Sequence, residues 1–404
     1  MRPSPVFGTP TASQRVAVMG GSIGGLNAAL WLRDMGYDVD VFERSSGALE
    51  ARGAGIAVLD DTVRYFLEHG TVDLDQIITA THWVRYLRKD KTPQYEEPRY
   101  YRFSSWNTIY RTLLSCLPAE HYRLGKQVDC FTQDADQVDV SFTDGTSTTC
   151  SLLVAADGID STARRVLLPD IEPQYAGYVA WRGTVSEAAL TPETVQVLGD
   201  SIAYQLLENS HIVMYPIPNL DGAVKAGERL MNFVWYRNVT DGQPLKQLLT
   251  DREGRRRSVS LPPGAVRDES VDEMQAFARA RLSRPIAEVV LKTEQPFIQI
   301  VVDVEVPRMR SGRVCLIGDA AFAVRPHPGA GTAKAARDAW ALAQALAAAE
   351  GDVARALEYW EHTQLTLGRQ LLWRAREIGD SSQFAGTWTP GDPKLVFGLH
   401  RPGH

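Results

Sequence analysis

The stretch RVAVMGGSIGGLNAALWLRDMGYDVDVFE, residues 15–43, decides the fold. It opens with a short apolar, β-branched run, which is typical of a buried strand. The glycine-rich turn GGSIGG follows at Gly20–Gly25, and a helical pattern then runs to Gly36, a residue suited to a helix C-cap. A second apolar run, Asp38–Phe42, is followed at once by Glu43. Strand, glycine-rich turn, helix, strand and acid in this order predict a dinucleotide-binding βαβ unit.

The residue types of this turn have physical reasons. Gly20 permits the tight turn from strand to helix, and Gly25 lets the helix pack closely on the strand. The helix N-terminus directs unpaired N–H groups and its dipole at a pyrophosphate. Glu43 stands 23 positions after Gly20, where a ribose hydroxyl needs an acceptor. Ser22 replaces the usual middle glycine, so the backbone must approach the phosphates differently. The other turn residues expected at this site are Gly21, Ile23 and Gly24.

Composition places the chain among globular proteins and disfavours several partners. Its 404 residues suggest about two or three domains, and 44% hydrophobic and 23% charged residues are ordinary values. The net charge of −6 gives no support for a nucleic-acid or anionic-membrane partner. The four cysteines show no metal-binding spacing, and we expect reduced thiols in a cytoplasmic protein. We expect residues 1–14 to be a flexible leader, and no stretch predicts a membrane helix.

Two later segments make the prediction more specific. The first is LLVAADGIDSTARR, residues 152–165, in which a buried strand runs into Asp157–Gly158. The second is SGRVCLIGDAAFAVRPHPGAGTAKA, residues 311–335, in which a strand runs into Gly318–Asp319. Taken alone, either dipeptide is more often an ordinary turn, and Asp319 is also suited to capping the helix that follows. Their occurrence in this order, after a βαβ unit, indicates one nucleotide-binding family.

This set resembles the single-component flavoprotein aromatic hydroxylases, the family of p-hydroxybenzoate hydroxylase and salicylate hydroxylase. The resemblance covers most of residues 15–350 and implies that the βαβ unit binds the ADP part of FAD. It implies that the segment with Asp157, Gly158 and Arg164 serves FAD and the nicotinamide cofactor. It also implies that Asp319, after Gly318, holds the ribityl chain. The further FAD-binding residues that the resemblance implies are Arg44, Arg111, Gly55 in the segment Gly53–Ile56, Pro326, Gly329, Ala330 and Gly331.

The resemblance also implies the reaction. A member of this family holds FAD non-covalently, takes a hydride from NADH or NADPH, and hydroxylates a small, hydroxy-substituted aromatic or pyridine ring through a C4a-hydroperoxide formed with O2. The segments EPQYAGYVAWRG and YPIP are most similar to members that act on 2,6-dihydroxypyridine. The loop RPHPGAG departs from those members, and Phe322 stands where many members of the wider family have a histidine, so the ring substrate is left open. The choice between NADH and NADPH is open too, and a homodimer is the state that the resemblance suggests.

The expected fold class is α/β, a Rossmann-like FAD-binding domain of the p-hydroxybenzoate hydroxylase type with an inserted antiparallel-sheet substrate domain and C-terminal helices. Apolar runs within residues 178–181, 212–215, 231–236 and 297–302 predict the inserted sheet. The expected division is a leader at 1–14, a discontinuous FAD-binding domain at 15–75, 101–170 and 300–350, a substrate domain at 76–100 and 171–299, and a C-terminal helical segment at 351–404.

Candidates for contact with the substrate lie on that inserted sheet. His211 and Tyr215 are four residues apart in HIVMY, which places both side chains on one face of a strand. They are the predicted groups for substrate hydrogen bonding and proton transfer, and the alternative is a structural tyrosine and a surface histidine. His327 in the loop RPHPG is a further candidate, although a loop histidine is by default exposed. Weaker candidates are Tyr204, Trp181, Arg182 and Tyr236.

Two rival functions remain open from the sequence, and a basic cluster also needs an interpretation. An FAD oxidase or dehydrogenase would share the nucleotide motifs, but Arg164 with its Asp-Gly segment argues for an external nicotinamide cofactor. A flavin-binding redox sensor would use the same fold without catalysis. The basic cluster within residues 252–257 sits among glycine and serine and predicts a solvated surface loop rather than a binding patch.

Overall fold

A computed structural model describes residues 14–47, 49, 54–70 and 72–404. Most of the expected leader lies outside these described residues, and so does Gly53 of the segment Gly53–Ile56. The strands are β1 Arg15–Met19, β2 Asp38–Phe42, β3 Gly55–Ala57, β4 Thr79–Leu87, β5 Pro93–Ser105, β6 Tyr122–Arg123, β7 Val128–Gln133, β8 Val138–Phe142, β9 Ser147–Cys150, β10 Leu152–Ala155, β11 Gln174–Ser186, β12 Ser201–Leu207, β13 Ser210–Ile217, β14 Leu230–Asn238, β15 Ser260–Leu261, β16 Phe297–Asp303, β17 Arg310–Ser311 and β18 Val314–Leu316. The helices are α1 Ile23–Asp34, α2 Asp60–His69, α3 Trp106–Ser115, α4 Thr162–Leu167, α5 Pro192–Leu198, α6 Gln243–Leu248, α7 Asp268–Arg281, α8 Arg284–Leu291, α9 Gly331–Ala348 and α10 Val353–Gln383.

The first sheet has the strand order β17-β18-β10-β1-β2-β6, and every pairing except β17 with β18 is parallel. Val16, at the centre, is paired with Leu152 of β10 on one side and Val39 of β2 on the other. Its inner strands β1, β2, β10 and β18 are largely buried, and helix α1 packs against β1, β2 and β10. The carboxyl ends of β1, β10 and β18 therefore lie side by side, where ligands bind in such sheets.

The second sheet has the order β15-β16-β11-β14-β13-β12-β4-β5-β3, and its pairings are antiparallel except that of β12 with β4. On one face, apolar side chains pack with helices α7 and α8 in a core that contains Trp181 and Trp235. The other face carries Tyr204, Val213 and Tyr215. A small third sheet joins β7, β8 and β9. The second sheet thus has one structural face and one face that is turned toward a cavity.

These elements confirm the predicted fold class and most predicted elements. The C-terminal helical segment expected at 351–404 contains the long helix α10. The runs predicted as inserted strands lie in β11, β13, β14 and β16. Strand β3 and the end of β5 pair within the antiparallel sheet, although they come from stretches assigned to the FAD-binding domain. The division into domains stays a prediction.

None of the described helices is both long and apolar enough to cross a bilayer. The four cysteines, all within the described residues, form no disulfide bonds with one another. Cys150 and Cys315 are buried in the core of the parallel sheet, where they pack as small apolar side chains.

Gly25 provides a test of this architecture. A Cβ atom at Gly25 would lie 1.9 Å from the carbonyl oxygen of Gly20, which is backbone and cannot rotate away. We expect Gly25→Ala to lower the free energy of unfolding by at least about 2 kcal/mol, as overpacking does in tight cores. Urea denaturation measures the change. The control is Gly47→Ala, whose Cβ would meet no atom within 4 Å, and equal stability of the two variants would contradict this packing.

Candidate functional site

A cavity of about 450 Å³ lies between the carboxyl edge of the parallel sheet and the free face of the antiparallel sheet. The parallel sheet contributes the turn after β1, the Asp157–Gly158 segment and the Gly318–Asp319 segment. The antiparallel sheet contributes side chains of β11 to β14 and β16. A second cavity of about 550 Å³ adjoins the first. The residues that line both are Ser22, Ala156, Gly158, Gln299 and Asp319.

The N-terminus of α1 forms one wall of both cavities. Gly20 has φ +99°, and a Cβ there would lie 2.4 Å from the carbonyl oxygen of Ala156. Ser22 stands at the N-cap, and its side chain makes no capping hydrogen bond. Glu43 is buried, and its carboxylate accepts hydrogen bonds from the N–H groups of Gly21 and Ser45, both at 2.9 Å. Glu43 thereby fixes the turn whose free N–H groups suit an anion.

The Asp157–Gly158 segment is held by its own helix. Asp157 Oδ2 accepts hydrogen bonds from the N–H groups of Thr162 at 2.7 Å and Ala163 at 3.2 Å. Its Oδ1 atom is buried without a partner, and burial raises the pKa of this carboxyl. Gly158 has φ +78°, and a Cβ added there would meet only open space. The segment therefore offers an unused acceptor beside a backbone cradle.

Arg164 has a structural position rather than a place on either cavity wall. Its guanidinium donates to the carbonyl oxygens of Ala320 at 3.0 Å and Ile171 at 3.4 Å, and to that of Ile159. The side chain is buried and links the loop after β10 to the loop after β18. Arg164 thus fixes the spacing of two motifs, a role that the sequence pattern did not indicate.

Asp319 is an interior carboxyl that is open to the cavities. Its side chain is exposed where the two cavities adjoin. Desolvation by the surrounding protein raises its pKa to about 6, and the nearby Lys334 opposes that rise. Gly318, with φ +58°, donates its N–H to Asp338 at 2.9 Å. This bond ties the turn that presents Asp319 to helix α9.

Aromatic side chains and imidazoles form the far end of the first cavity. His211 and Tyr215 both line it from β13, which confirms that they share a face. Tyr204 and Tyr236 lie on the same wall. Tyr215 stacks on Phe103 with ring centroids 4.1 Å apart. Because these side chains are buried, this end of the cavity suits a flat apolar ring with few polar groups.

Arg182 and Trp181 point in opposite directions, as neighbours on a strand do. Arg182 lines the first cavity and donates to Gln299 Oε1 at 2.8 Å and to the Gly55 carbonyl oxygen at 2.9 Å. Its Nε atom is buried without a partner. Trp181 packs in the core under the helices, so this weaker candidate is removed from the cavity.

The two histidines of the first cavity form a buried pair with ring centroids 5.4 Å apart. His211 Nδ1 is 2.5 Å from Ser382 Oγ. His327 Nε2 is 2.7 Å from the Tyr178 hydroxyl, while its Nδ1 is buried without a partner. Burial lowers the pKa of His211 to about 3 and that of His327 well below its usual value. Both rings are therefore neutral at pH 7, and neither is the surface histidine that was the alternative.

Most, though not all, of the predicted residues reach a cavity wall. The first cavity is lined by Ile23, Gly24, Gly55, Gly318, Pro326, Gly329, Ala330 and Gly331, and the second by Gly20, Glu43, Arg44 and Asp157. Gly21 and Gly25 pack against protein atoms. Arg111 differs from expectation, because its side chain is exposed, lines neither cavity and donates to the Leu220 carbonyl oxygen at 3.2 Å. On α3 the inward positions are taken by Ile109 and Leu113.

Several wall residues were not expected from the sequence. Trp106, Trp388 and Phe397 line the first cavity, far from any motif. The basic cluster is only partly a solvated loop, since the segment Arg257–Pro263 lines the second cavity. Arg257 Nε donates to the buried Asp251 at 3.0 Å. No motif or strand periodicity in the sequence predicts that these residues line the site. Packing between segments that are distant in sequence brings them there.

Comparison with known proteins places this architecture in a family. The family model described as FAD binding domain-like matches residues 175–303. A 2,6-dihydroxypyridine 3-monooxygenase from Paenarthrobacter nicotinovorans is 38% identical over 392 residues, 97% of this chain and 97% of that protein. An FAD-dependent urate hydroxylase from Klebsiella pneumoniae is 28% identical over 387 residues, 91% of this chain and 90% of that protein. The solved structure of 2,6-dihydroxypyridine-3-hydroxylase from Arthrobacter nicotinovorans matches with a TM-score of 0.92 at 36% identity, covering 98% of this chain and 99% of that chain.

The chain therefore belongs to the FAD-dependent aromatic hydroxylases of the p-hydroxybenzoate hydroxylase type. It is an enzyme, a flavoprotein monooxygenase that uses FAD, NAD(P)H and O2. The resemblance found in the sequence is confirmed over nearly the whole chain. This assignment is preferred over the two rival interpretations, an FAD oxidase or dehydrogenase and a flavin-binding redox sensor.

The residues present fit FAD. The turn that Glu43 fixes presents helix N–H groups to a diphosphate. Asp157 keeps an unpartnered oxygen, and the cradle at Gly158 is open. The adjoining cavities offer an extended space that reaches from Glu43 to the loop Pro326–Gly331. FAD, when bound, supplies the redox chemistry that takes a hydride from NAD(P)H and activates O2.

The buried imidazoles make stability depend on pH in a definite direction. A histidine whose pKa is lowered by folding from about 6.5 stabilises the fold above that pH and loses this contribution as the pH falls. For His211, with a folded pKa of about 3, acidification from pH 6.5 to 5 should cost about 2 kcal/mol. Urea unfolding of FAD-saturated protein at both pH values should give His211→Gln a smaller loss than wild type. The control His82→Gln, with an exposed side chain, should keep the wild-type loss, and an unchanged loss in His211→Gln would refute the neutral buried state.

Proposed function

We propose that this monooxygenase hydroxylates a small, hydroxy-substituted aromatic or pyridine ring, and that 2,6-dihydroxypyridine is its substrate. The observation that carries the proposal is one cavity that joins the nucleotide motifs to an aromatic wall with two neutral imidazoles. The relative that is 38% identical over 97% of this chain is named for that substrate. A flat ring with two hydroxyl groups matches the few polar groups and many ring faces of this wall.

The FAD-binding roles are assigned by position. The diphosphate would lie at the N-terminus of α1, and the adenosine side would lie in the second cavity beside Glu43 and Arg44. Asp319 would hold the ribityl chain, since it is the carboxyl open to both cavities. The loop Pro326–Gly331 would border the flavin ring. Arg111 has no place in this assignment, and Arg164 acts by positioning the motif loops.

His327 is the residue that we assign to the substrate proton. His327 lines the first cavity, its Nδ1 atom is buried without a partner, and the Tyr178 hydroxyl contacts the opposite ring nitrogen. A hydrogen bond from a ring hydroxyl to this neutral imidazole draws the proton partly away from the oxygen, which raises the electron density of the ring and makes it a better nucleophile toward activated oxygen. His211 and Tyr215 then serve as hydrogen-bonding partners for the other polar group of the ring. This ranking places His327 ahead of the pair first expected from the sequence.

Exclusion of water is the second requirement of the chemistry. Water that reaches activated oxygen wastes NAD(P)H as hydrogen peroxide. The aromatic wall meets this need through stacked rings, such as Tyr215 on Phe103 and Tyr86 on Tyr204 at 4.8 Å. Arg182 ties β11 to the backbone of β3 across the same wall. In this proposal the residues of the antiparallel sheet bind the substrate ring and exclude water from it.

The proposal also covers the location and the assembly of the enzyme. The absence of disulfide bonds among the four cysteines supports a reducing compartment, and we place the enzyme in the cytoplasm. A homodimer and the discontinuous division into FAD-binding and substrate domains stay predictions. The choice between NADH and NADPH is made by the assay below.

The substrate is tested by turnover. Purified enzyme with FAD should oxidise NADH or NADPH much faster when 2,6-dihydroxypyridine is present, with O2 consumed in equal amount and little peroxide formed. Mass spectrometry should find a product that has gained one oxygen atom. Phenol without a second hydroxyl serves as the comparison compound. A protein that binds FAD but oxidises NAD(P)H at the same slow rate with every hydroxypyridine and phenol would contradict the substrate proposal.

The proton role of His327 is tested separately. His327→Gln should lower kcat by about 100-fold at pH 7, as loss of a general base does, while FAD content and substrate affinity stay near wild type. Raising the pH should restore part of the rate, because the substrate then loses its proton to solvent. The matched control is the exposed His82→Gln. A kcat for His327→Gln within about twofold of wild type would assign the proton to another group.

A further inference from the structure

The segment that follows α10, residues 384–399, is here named the C-terminal strap. It begins where the last turn of α10 contacts β13 and β14, through Ser382 to His211 and through Asn238 Nδ2 to the Gln383 carbonyl at 2.7 Å. It crosses the edge formed by β4 and β5, where Gly391 packs on Tyr95. It ends at the loop Pro326–Gly331, where Gly398 donates its N–H to the Pro328 carbonyl oxygen at 3.2 Å. The strap therefore runs from the strands that carry His211 to the loop that carries His327, and two of its residues, Trp388 and Phe397, line the first cavity.

Trp388 is the side chain that the strap places at the cavity. It lines the first cavity and stacks near His211 with ring centroids 4.6 Å apart, while Tyr204 lies at 6.1 Å and His327 at 6.3 Å. One indole thus borders both buried imidazoles and a tyrosine of the sheet. It is half-buried, so the same ring separates the cavity from solvent.

The orientation of the indole is fixed. Its Nε1–H donates to the Tyr86 hydroxyl at 3.2 Å, and Tyr86 stacks on Tyr204 with an interplanar angle of 12°. At the other end of the strap, Phe397 packs on Tyr101 at 4.9 Å, and its N–H donates to the Tyr101 hydroxyl at 3.3 Å. The strap is therefore anchored by two aromatic residues, and the indole cannot swing aside without breaking a hydrogen bond.

We propose that Trp388 is a specificity-determining residue, the wall that limits the cavity to a single substrate ring and shields it from water. This inference rests on the proposed function and names the part of the chain that sets substrate size. A cavity of about 450 Å³ must accept a flavin ring and the substrate together. A wall that can be shortened by substitution would add space for a second fused ring. The strap wall, which lacks regular structure apart from one short helical turn, is held by side chains rather than by a sheet.

Two consequences follow from removal of the indole. A single-ring substrate loses an aromatic contact and binds more weakly, because stacked rings contribute beyond their buried area. A fused two-ring compound gains space and binds more tightly. Solvent also gains a path to the cavity, so more of the NAD(P)H consumed ends as hydrogen peroxide.

The experiment compares Trp388→Ala with Trp373→Ala. Trp373 lies on α10 with 65% of its surface exposed, and its replacement should change nothing at the cavity. Dissociation constants for 2,6-dihydroxypyridine and for the two-ring 2,6-dihydroxyquinoline are measured by the change in flavin absorbance of the FAD-bound enzymes. Trp388→Ala should shift the preference toward the two-ring compound by at least about tenfold and raise the peroxide formed per NAD(P)H. Trp373→Ala should match wild type.

The outcomes separate this inference from the proposed function. If no ring compound stimulates NAD(P)H oxidation by the wild-type enzyme, the proposed function fails. The ratio of the dissociation constants for the one-ring and two-ring compounds still tests whether Trp388 limits the size of the bound ring. If Trp388→Ala loses FAD, Trp388→Leu is tested instead, because it keeps an apolar side chain. We expect it to shift the ring preference and raise the peroxide in the same direction, by a smaller amount. Trp388→Phe should retain wild-type size selection, because it keeps a ring at the wall. Wild-type ring preference and wild-type peroxide in a folded Trp388→Ala or Trp388→Leu variant would overturn the proposal.

Discussion

Backbone hydrogen bonds at one edge of the parallel sheet join the residues on which the rest of the site depends. Gly20 donates to Phe42 at 2.9 Å, Ala156 to Met19 at 2.7 Å and Ile317 to Ala155 at 2.9 Å. These bonds continue the strand pairing just beyond β1, β10 and β18, so three segments that are distant in sequence leave the sheet side by side. Arg164 and Glu43 then fix the loops that start there. Without this alignment no common cavity would exist for a dinucleotide.

The antiparallel sheet supplies what the parallel sheet lacks, a wall that can recognise a ring. One face of this sheet is structural, because Trp181 and Trp235 pack there in the core formed with the helices. The other face presents tyrosines and His211, and the loop Pro326–Gly331 adds His327. Burial keeps both imidazoles neutral, so each can accept or donate a hydrogen bond without carrying a charge into the cavity. Binding of the cofactor and chemistry on the ring are thus assigned to two sheets that meet at one place.

The sequence predicted the parts of this arrangement that are governed by local rules. The βαβ unit, the two later motifs and the shared face of His211 and Tyr215 follow from turn chemistry, strand periodicity and spacing, and the structure places them as expected. What it missed depends on packing between distant segments. His327 sits between prolines in a loop, yet the loop folds inward and buries it. Arg111 points outward, and the strap that brings Trp388 to the cavity has no periodic pattern at all.

The central claim is that the two adjoining cavities form one site, with FAD in both and the substrate ring at the imidazole end. The most direct test is a crystal structure of the enzyme with FAD and 2,6-dihydroxypyridine bound. The account predicts adenosine beside Glu43, the flavin ring along the loop Pro326–Gly331, and the substrate ring in contact with His327 and His211. A substrate ring bound elsewhere, with these imidazoles facing only solvent or the flavin, would contradict it.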